Sequence, residues 1–287
     1  MFGFNTSKRN STERGLFGRV DKLFTGALVC CALAVGTHPA HAAFNLVWSD
    51  EFDAPLSGGK WNVYTGPNGA ANNCYFMPSN AFTYNGNLVL VVNTNPNDGG
   101  KQFTSGGVDT GWRWTQTYGR WEVRAKFMQG YGIGGYIGLF PQDGSWPPEV
   151  DFAEVQGREY WACHFTQHYD PDNKLDTFNI WNSDVGSSFD NWHTYAVEWT
   201  PGTIKYFVDG TLWCTQPQRF TATPMKMAIG CGTGSPGSYT GSPTDAVANG
   251  WPWPLGPGKG EFQIDYVRIY SYTDDSSSGD PSNLTAQ

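Results

Sequence analysis

Strict alternation of apolar and polar side chains is the feature that most limits how this chain can fold. From Gly119 to Phe127 every second residue is apolar and the residues between are charged; the apolar set is Trp121, Val123, Ala125 and Phe127. A period of two is that of a β-strand with one buried face. The segment therefore predicts a strand that lies on a core.

The same pattern recurs along the chain, and Asp209-Gly210 predicts a hairpin turn. Further strands are predicted at Asn87–Val92, His193–Trp199, Thr203–Val208, Thr211–Cys214 and Glu261–Tyr270. The 36 glycines and 18 prolines follow no period, which favours many turns, and no convincing amphipathic helix or repeat is present. We predict an all-β fold, a two-sheet antiparallel sandwich of jelly-roll type.

The N-terminal residues have the pattern of an export signal. Five basic residues within the first 22 precede the mostly apolar run Leu23–Val35, and Ala40-His41-Ala42 resembles a cleavage site. We expect a signal peptide over residues 1–42, a catalytic domain over 43–272 and a disordered tail over 273–287, in a secreted or periplasmic protein. The alternative is an uncleaved N-terminal anchor, against which Pro39 and the two histidines argue.

Composition excludes several classes of protein. Aromatic residues are 16% of the chain and charged residues only 15%, which excludes a disordered protein. The formal charge is −8 and no basic stripe is present, so we expect no nucleic-acid partner. The cysteines outside the leader show no zinc spacing, so we expect structural disulfides, with all three pairings open, or buried thiols; they are Cys74, Cys163, Cys214 and Cys231.

Three acids within six residues are the strongest chemical signal. Glu149 and Asp151 share a face of a strand because their offset is two, whereas Glu154, at an offset of five, falls on the opposite face. A β-bulge at Phe152–Ala153 would return Glu154 to the same side. The sequence therefore predicts a bulge if the three acids act together.

Such a bulge would bring two glutamates to a distance that supports catalysis. Their α-carbons would be about 13 Å apart, and the carboxyl groups could approach to about 5–5.5 Å, the separation of a retaining glycosidase. One would be an ionised nucleophile and the other a protonated acid, with Asp151 between them. The alternative is that these acids are merely the solvated face of an amphipathic strand.

Tryptophans supply flat apolar faces on which sugar rings stack, although each of them could instead belong to the core. They are Trp112, Trp114, Trp146, Trp161 and Trp181.

Together, the acidic motif and its neighbours resemble glycoside hydrolase family 16, the secreted β-glucanases that include laminarinases, agarases and carrageenases. The motif Glu149-Val-Asp-Phe-Ala-Glu154 is similar to the family's bulged signature. Flanking segments match in the family's order; they are Val47–Asp53, Gly86–Leu90, Tyr118–Arg124, Trp192–Trp199 and Ile264–Tyr270.

The resemblance implies a concanavalin A-like sandwich with a concave cleft for a polysaccharide. It implies Glu149 as nucleophile, Glu154 as acid/base and Asp151 as an assisting carboxylate. It also implies substrate-binding residues, and here we expect His164, Trp146, Asn73 and Trp112.

No cofactor is implied, apart from a structural calcium held by Asp265 and by backbone carbonyls near Glu51 and Gly86. We expect a monomer with no membrane contact after signal cleavage.

Two departures from the family's pattern leave the substrate open. Gly134–Gly138 stands where many laminarinases have a Trp-Pro-Ala-Phe-Trp-like run. An arginine of many members is replaced near Gly106-Gly107, and we expect Arg113 to reach the same space. We expect an endo-acting hydrolase of β-1,3- or mixed β-1,3-1,4-glucan. Alternatives are a galactan hydrolase, a transglycosylase, a non-catalytic carbohydrate-binding sandwich or a wall-matrix structural protein.

Overall fold

The computed structural model describes residues 43–68, 74–94, 101–156, 160–172, 174–234 and 260–274. The predicted signal peptide, Asn73 and the chain after residue 274 lie outside the described residues. Within these ranges the helices are two 3-10 turns, Leu56–Gly58 and Pro78–Asn80, and the four-residue helix Asn182–Val185. None of them has the length and apolar character needed to cross a membrane.

Eighteen strands, numbered β1 to β18 along the described chain, form two sheets. The smaller sheet contains β2 (Asn62–Val63), β8 (Gly107–Asp109), β10 (Ile133–Pro141), β11 (Glu149–Gln156), β12 (Ala162–Asp170), β13 (Lys174–Trp181) and β17 (Met225–Thr233). The larger sheet contains β1 (Ala43–Asp50), β3 (Gly66–Pro67), β4 (Cys74–Phe76), β5 (Ala81–Tyr84), β6 (Asn87–Thr94), β7 (Phe103–Ser105), β9 (Gly119–Lys126), β14 (His193–Thr200), β15 (Thr203–Val208), β16 (Thr211–Pro217) and β18 (Glu261–Thr273).

The order of the strands confirms the predicted two-sheet sandwich. The smaller sheet runs β13-β12-β11-β10-β17-β8-β2, and the larger runs β16-β15-β14-β9-β18-β6-β7-β4-β3, with β1 beside β18 and β5 beside β6. Every described pairing is antiparallel except that of β4 with β7, which is parallel. The acidic motif lies in β11, near the middle of the smaller sheet.

The predicted strands are present, and their alternation explains which face each one buries. In β9 buried and half-buried residues alternate without exception. The turn between β15 and β16 has φ values of 50° at Asp209 and 76° at Gly210, as a two-residue hairpin requires. The last strand is longer than predicted, because β18 continues to Thr273, which pairs with Ala43.

Aromatic rings fill the space between the two sheets. Phe127 stacks on Phe262 with ring centroids 4.3 Å apart and meets the edge of Tyr195 at 5.4 Å. Trp121 and Trp199 are also buried there. Much of the aromatic content therefore serves the core.

All four described cysteines are free, so the disulfide alternative is wrong; the buried-thiol alternative is correct for Cys74, Cys163 and Cys231, whereas Cys214 is half-buried. Cys74 Sγ lies 3.3 Å from Thr233 Oγ1, and the Cys231 thiol donates to the Gly106 carbonyl at 3.4 Å. Burial raises the pKa of both thiols, which keeps them protonated and unreactive.

Replacing Phe127 with alanine tests the aromatic core. Because Phe127 is 1% exposed and contacts two rings, we expect the free energy of unfolding to fall by about 3–5 kcal/mol. Urea denaturation followed by tryptophan fluorescence measures the change. Tyr84→Ala is the control, since Tyr84 is 64% exposed. An equal effect of the two substitutions would contradict this account of the core.

Candidate active site

The predicted bulge in β11 is present, and Phe152 is the extra residue. Against β10, Ala153 pairs with Ile137, but the next pair joins Asp151 to Gly138, so Phe152 has no counterpart. Against β12 the register also shifts between Asp151 and Glu154. The strand therefore gains one residue between its second and third acids.

The register shows that all three acids point to one side of the sheet. Residues directly opposite each other on neighbouring strands share a face. Three such pairs join β11 to β12: Glu149 with His168, Asp151 with Thr166, and Glu154 with His164. The other face of β11 is fully buried in the core and consists of Val150, Phe152, Ala153 and Val155.

The acids line a cavity of about 630 Å³ together with aromatic side chains. Its lining comprises Asn68, Phe76, Tyr136, Phe140, Trp146, Glu149, Asp151, Glu154 and His168. Flat apolar walls with a few convergent polar groups are typical of a small-molecule or sugar site.

Glu149 is oriented by the tryptophan that precedes its strand. The Trp146 indole Nε1–H donates to Glu149 Oε2 at 2.6 Å. The Trp146 ring lies 5.8 Å from that of His168 and is 48% exposed, so part of its surface is accessible from the cavity. The contact therefore fixes the orientation of the carboxylate.

Asp151 is the most deeply buried of the three acids. Burial raises its pKa well above the usual value, and the negative charges of Glu149 and Glu154 raise it further. Its Oδ2 lies 3.7 Å from His168 Nε2, and its buried Oδ1 accepts no hydrogen bond from the described residues. These surroundings favour the protonated form of the carboxyl group, which can donate a hydrogen bond.

Glu154 has the properties of a proton donor. Burial, followed by the charge of Glu149, raises its pKa to about 7, while a hydrogen bond from Gln156 Nε2 at 2.9 Å acts in the opposite direction. An acid with a pKa near the working pH is the most efficient general acid. The arrangement thus pairs this acid with a carboxylate held by an indole N–H.

The other predicted binding residues lie in different places. His164 is beside Glu154, and its Nδ1 lies 2.7 Å from Asn179 Oδ1. Trp112 is 74% exposed, stacks on the Arg113 guanidinium at 5.2 Å, and is not among the residues that line the cavity. Its role in binding stays a prediction.

Four of the five tryptophans proposed as stacking faces are exposed, and Trp114 instead packs against the core. The exposed ones are Trp112, Trp146, Trp161 and Trp181.

Five residues of the cavity were not predicted: Asn68, Phe76, Tyr136, Phe140 and His168. His168 lies opposite Glu149, and its only signal in the sequence was its spacing of four from His164, which places both histidines on one face of a strand. Tyr136 lies opposite Glu154 in the glycine-rich run, and burial together with the charges of Glu149 and Asp151 raises its pKa.

The proposed calcium ligand does not fit a cation as it is placed. The Asp265 carboxylate forms an ion pair with the Arg124 guanidinium, which neutralises the charge a calcium ion would need. Glu149, Asp151 and His168 have donor atoms within 4.8 Å of one another, but the raised pKa of Asp151 opposes the ionised form that a metal ion requires. Calcium binding by Asp265 stays a prediction, and no described contact supports it.

Comparisons with known proteins agree with this geometry. An endo-1,3-1,4-beta-glycanase of Rhizobium meliloti is 30% identical over 236 residues, which cover 78% of this chain and 46% of that protein. A beta-glucanase of Rhodothermus marinus is 28% identical over 264 residues, covering 80% of this chain and 86% of the relative. The laminarinase structure from Rhodothermus marinus superposes with a TM-score of 0.68 at 26% identity, covering 81% of this chain and 99% of that one.

The family comparison is the most direct. The chain matches the model of the glycosyl hydrolases family 16 over residues 68–267, which include the bulged strand and both neighbouring strands. Because this match spans well over half of the sequence, the chain belongs to glycosyl hydrolases family 16 and is a glycoside hydrolase.

Proposed function

We propose that this protein is a secreted, retaining endo-β-glucanase that hydrolyses β-1,3- or mixed β-1,3-1,4-linked glucan. The observation that carries the proposal is the bulge at Phe152, which places two glutamates in unlike environments on one face of the cleft. Relatives that act on such glucans, as their names state, support the substrate class. The basic and apolar pattern of residues 1–42 supports export.

In the first step of the proposed reaction, Glu149 attacks the anomeric carbon. The indole N–H of Trp146 holds Glu149 Oε2 and so orients the carboxylate for the attack. Glu154, protonated near neutral pH, donates its proton to the oxygen of the leaving chain. The product is a glycosyl ester on Glu149.

In the second step Glu154 changes from acid to base. The charge of Glu149 is one cause of the raised pKa of Glu154, and esterification removes that charge. The pKa of Glu154 then falls, so its carboxylate accepts a proton from the water that attacks the ester. Asp151, which is hydrogen-bonded to Glu149, steadies the nucleophile through both steps.

The charges of the cleft favour a neutral polysaccharide. Three acids and no lysine or arginine are found among the described residues that line the cavity. A sulfated galactan would bring like charges to this surface without a cation to bind them. A neutral glucan presents hydroxyl groups to the acids and C–H faces to Trp146, Tyr136 and Phe140.

Replacing Glu149 with glutamine tests the nucleophile. We expect hydrolysis to fall at least about 1000-fold, because an amide cannot form the ester, while polysaccharide binding survives. Reducing-end release from laminarin, lichenan, agarose and a succinoglycan-type polysaccharide, with binding followed by affinity electrophoresis, measures both. Glu51→Gln is the control, since Glu51 is an exposed acid paired with Arg268.

The outcomes separate the competing functions. Hydrolysis of agarose alone would support the galactan alternative. Binding without hydrolysis by the wild type would support a non-catalytic sandwich. Normal hydrolysis by Glu149→Gln would refute the mechanism.

The pH dependence of kcat/KM tests the assignment of Glu154. With a pKa of about 7, the fraction of protonated Glu154 falls as the pH rises through 7, so kcat/KM on a soluble oligosaccharide should fall there. This fall in kcat/KM above pH 7 should be absent in Glu154→Gln. A kcat/KM that stays level to about pH 9 in the wild type would contradict Glu154 as the acid.

Stability gives an independent test of the same carboxyl group. Its pKa is raised from 4.5 to about 7 on folding, so the folded protein binds more protons and its stability falls as pH rises through that window. Glu154→Gln should therefore be more stable than the wild type near pH 8, by about 1–3 kcal/mol, and similar near pH 4. Urea denaturation at the two pH values measures this difference. If the variant were less stable than the wild type at both pH values, ionisation of Glu154 would not destabilise the folded protein.

A further inference from the structure

Gln156 follows Glu154 by two residues in β11 and lies beside it on the face that carries the three acids. An offset of two keeps both side chains on one side of a strand. The Gln156 amide Nε2–H donates to Glu154 Oε1 at 2.9 Å, and the glutamine is 5% exposed. Gln156 is absent from the described lining of the cavity, so its described contact is with the acid rather than with the space for the substrate.

The strands next to Gln156 offer its amide no side-chain partner at the same level of the sheet. Gly134 of β10 lies directly opposite Gln156, and Gly232 of β17 lies opposite Gly134. Neither glycine has a side chain that could bond to the amide. Glu154, on the same strand, is therefore the described partner of the Gln156 amide.

The oxygen of the same amide is buried without a described partner. Gln156 Oε1 accepts no hydrogen bond from the described residues. A buried carbonyl oxygen without a hydrogen bond opposes folding, and an apolar side chain at this position would avoid that penalty. Stability therefore does not account for a glutamine at position 156.

Gln167, a glutamine of the neighbouring strand β12, shows how a structural glutamine is arranged in this protein. It is fully buried, and its Nε2 donates to Gln216 Oε1 and to the Pro217 carbonyl oxygen, each at 3.0 Å. Its Oε1 accepts from the Arg219 backbone N–H at 3.1 Å. Both ends of the Gln167 amide are bonded, whereas the described bond of Gln156 uses only the donor end.

The bond from Gln156 determines which oxygen of Glu154 can carry a proton. An amide N–H bonds to the carbonyl oxygen of a protonated carboxyl group rather than to its hydroxyl oxygen, because the hydroxyl hydrogen is itself a donor. We propose that Gln156 is a positioning residue that keeps the proton of Glu154 on Oε2 and so presents it to the oxygen of the leaving chain. This inference rests on the proposed function.

The same bond supports the second step of the reaction. Glu154 is then a carboxylate, and an N–H donor stabilises its charge. Burial, followed by the charge of Glu149, raises the pKa of Glu154, and the bond from Gln156 acts in the opposite direction. Water gives a proton to Glu154 Oε2 while its oxygen bonds to the anomeric carbon and the ester bond to Glu149 breaks. The Gln156 contact stays in place through both steps.

Replacing Gln156 with methionine tests this assignment, because methionine has a similar length and no N–H donor. The experiment compares a laminari-oligosaccharide, whose leaving oxygen needs a proton, with the 4-nitrophenyl β-glycoside of such an oligosaccharide, whose phenolate leaves with little help from an acid. We expect kcat/KM to fall about 10–100-fold on the oligosaccharide, as the loss of a hydrogen bond to a charged group predicts, and less than about 2-fold on the aryl glycoside.

The pH dependence and the stability of the variant separate positioning from folding. The fall of kcat/KM on the oligosaccharide above pH 7 should move to higher pH in Gln156→Met, because ionised Glu154 loses a donor. The unfolding midpoint at pH 5, where Glu154 is protonated, should not decrease, since the unpartnered oxygen is removed with the donor. Gln156→Leu, which is shorter, should give the same results if methionine does not fit.

Gln167→Met is the matched control, because it removes a buried glutamine whose described bonds lie within the fold. Its unfolding midpoint should fall, while the pH profile of kcat/KM should stay that of the wild type.

Each other outcome overturns the inference. An equal loss on both substrates would mean that Gln156 does not act through the proton of Glu154. Unchanged kinetics with a lower unfolding midpoint would make Gln156 a structural residue like Gln167. Failure of the proposed function is distinct from these results: the wild type would hydrolyse neither substrate, or Glu154→Gln would hydrolyse the oligosaccharide normally.

Discussion

The site depends on one extra residue in β11, and the core holds that residue in place. Phe152 and Ala153 are both fully buried, although alternation allows only one of two consecutive residues to face inward. Packing both inward is what defines the bulge, and it returns Glu154 to the face of Glu149 and Asp151. Apolar burial on one side of the strand therefore sets the positions of the acids on the other.

Burying three acids together opposes folding, and the same burial produces the chemistry. Desolvation is the largest cause of the raised pKa of both Asp151 and Glu154, and the charge of Glu149 comes next. The extensive aromatic core offsets the folding free energy that is lost by burying these acids. The result is a set of carboxyl groups with unequal proton affinities, as a double-displacement reaction requires.

Small residues on the neighbouring strands make the space for the site. At Gly138 an added Cβ would lie 2.6 Å from Asp151 Oδ1, so only glycine lets that carboxylate lean toward β10. At Gly230 an added Cβ would lie 2.6 Å from the Tyr136 hydroxyl, whose ring crosses the position. The run Gly134–Gly138, which departs from the laminarinase-like pattern, thus has a structural consequence: its Tyr136 lines the cavity together with Phe140.

The sequence by itself determined the sandwich, most strand positions and the need for a bulge, because alternation and turn residues are local signals. It predicted that the three acids act together only if the strand contains an extra residue, because Asp151 and Glu154 lie two and five residues after Glu149 and would otherwise face opposite sides of the sheet. Register was decided by the tertiary structure: His168 meets Glu149 and Tyr136 meets Glu154 only because β12 and β10 pair with β11 at those positions. Spacing along a chain does not determine distance across a sheet. For this reason only the tertiary structure showed that the described cysteines are free and that Trp112 is absent from the described lining of the cavity.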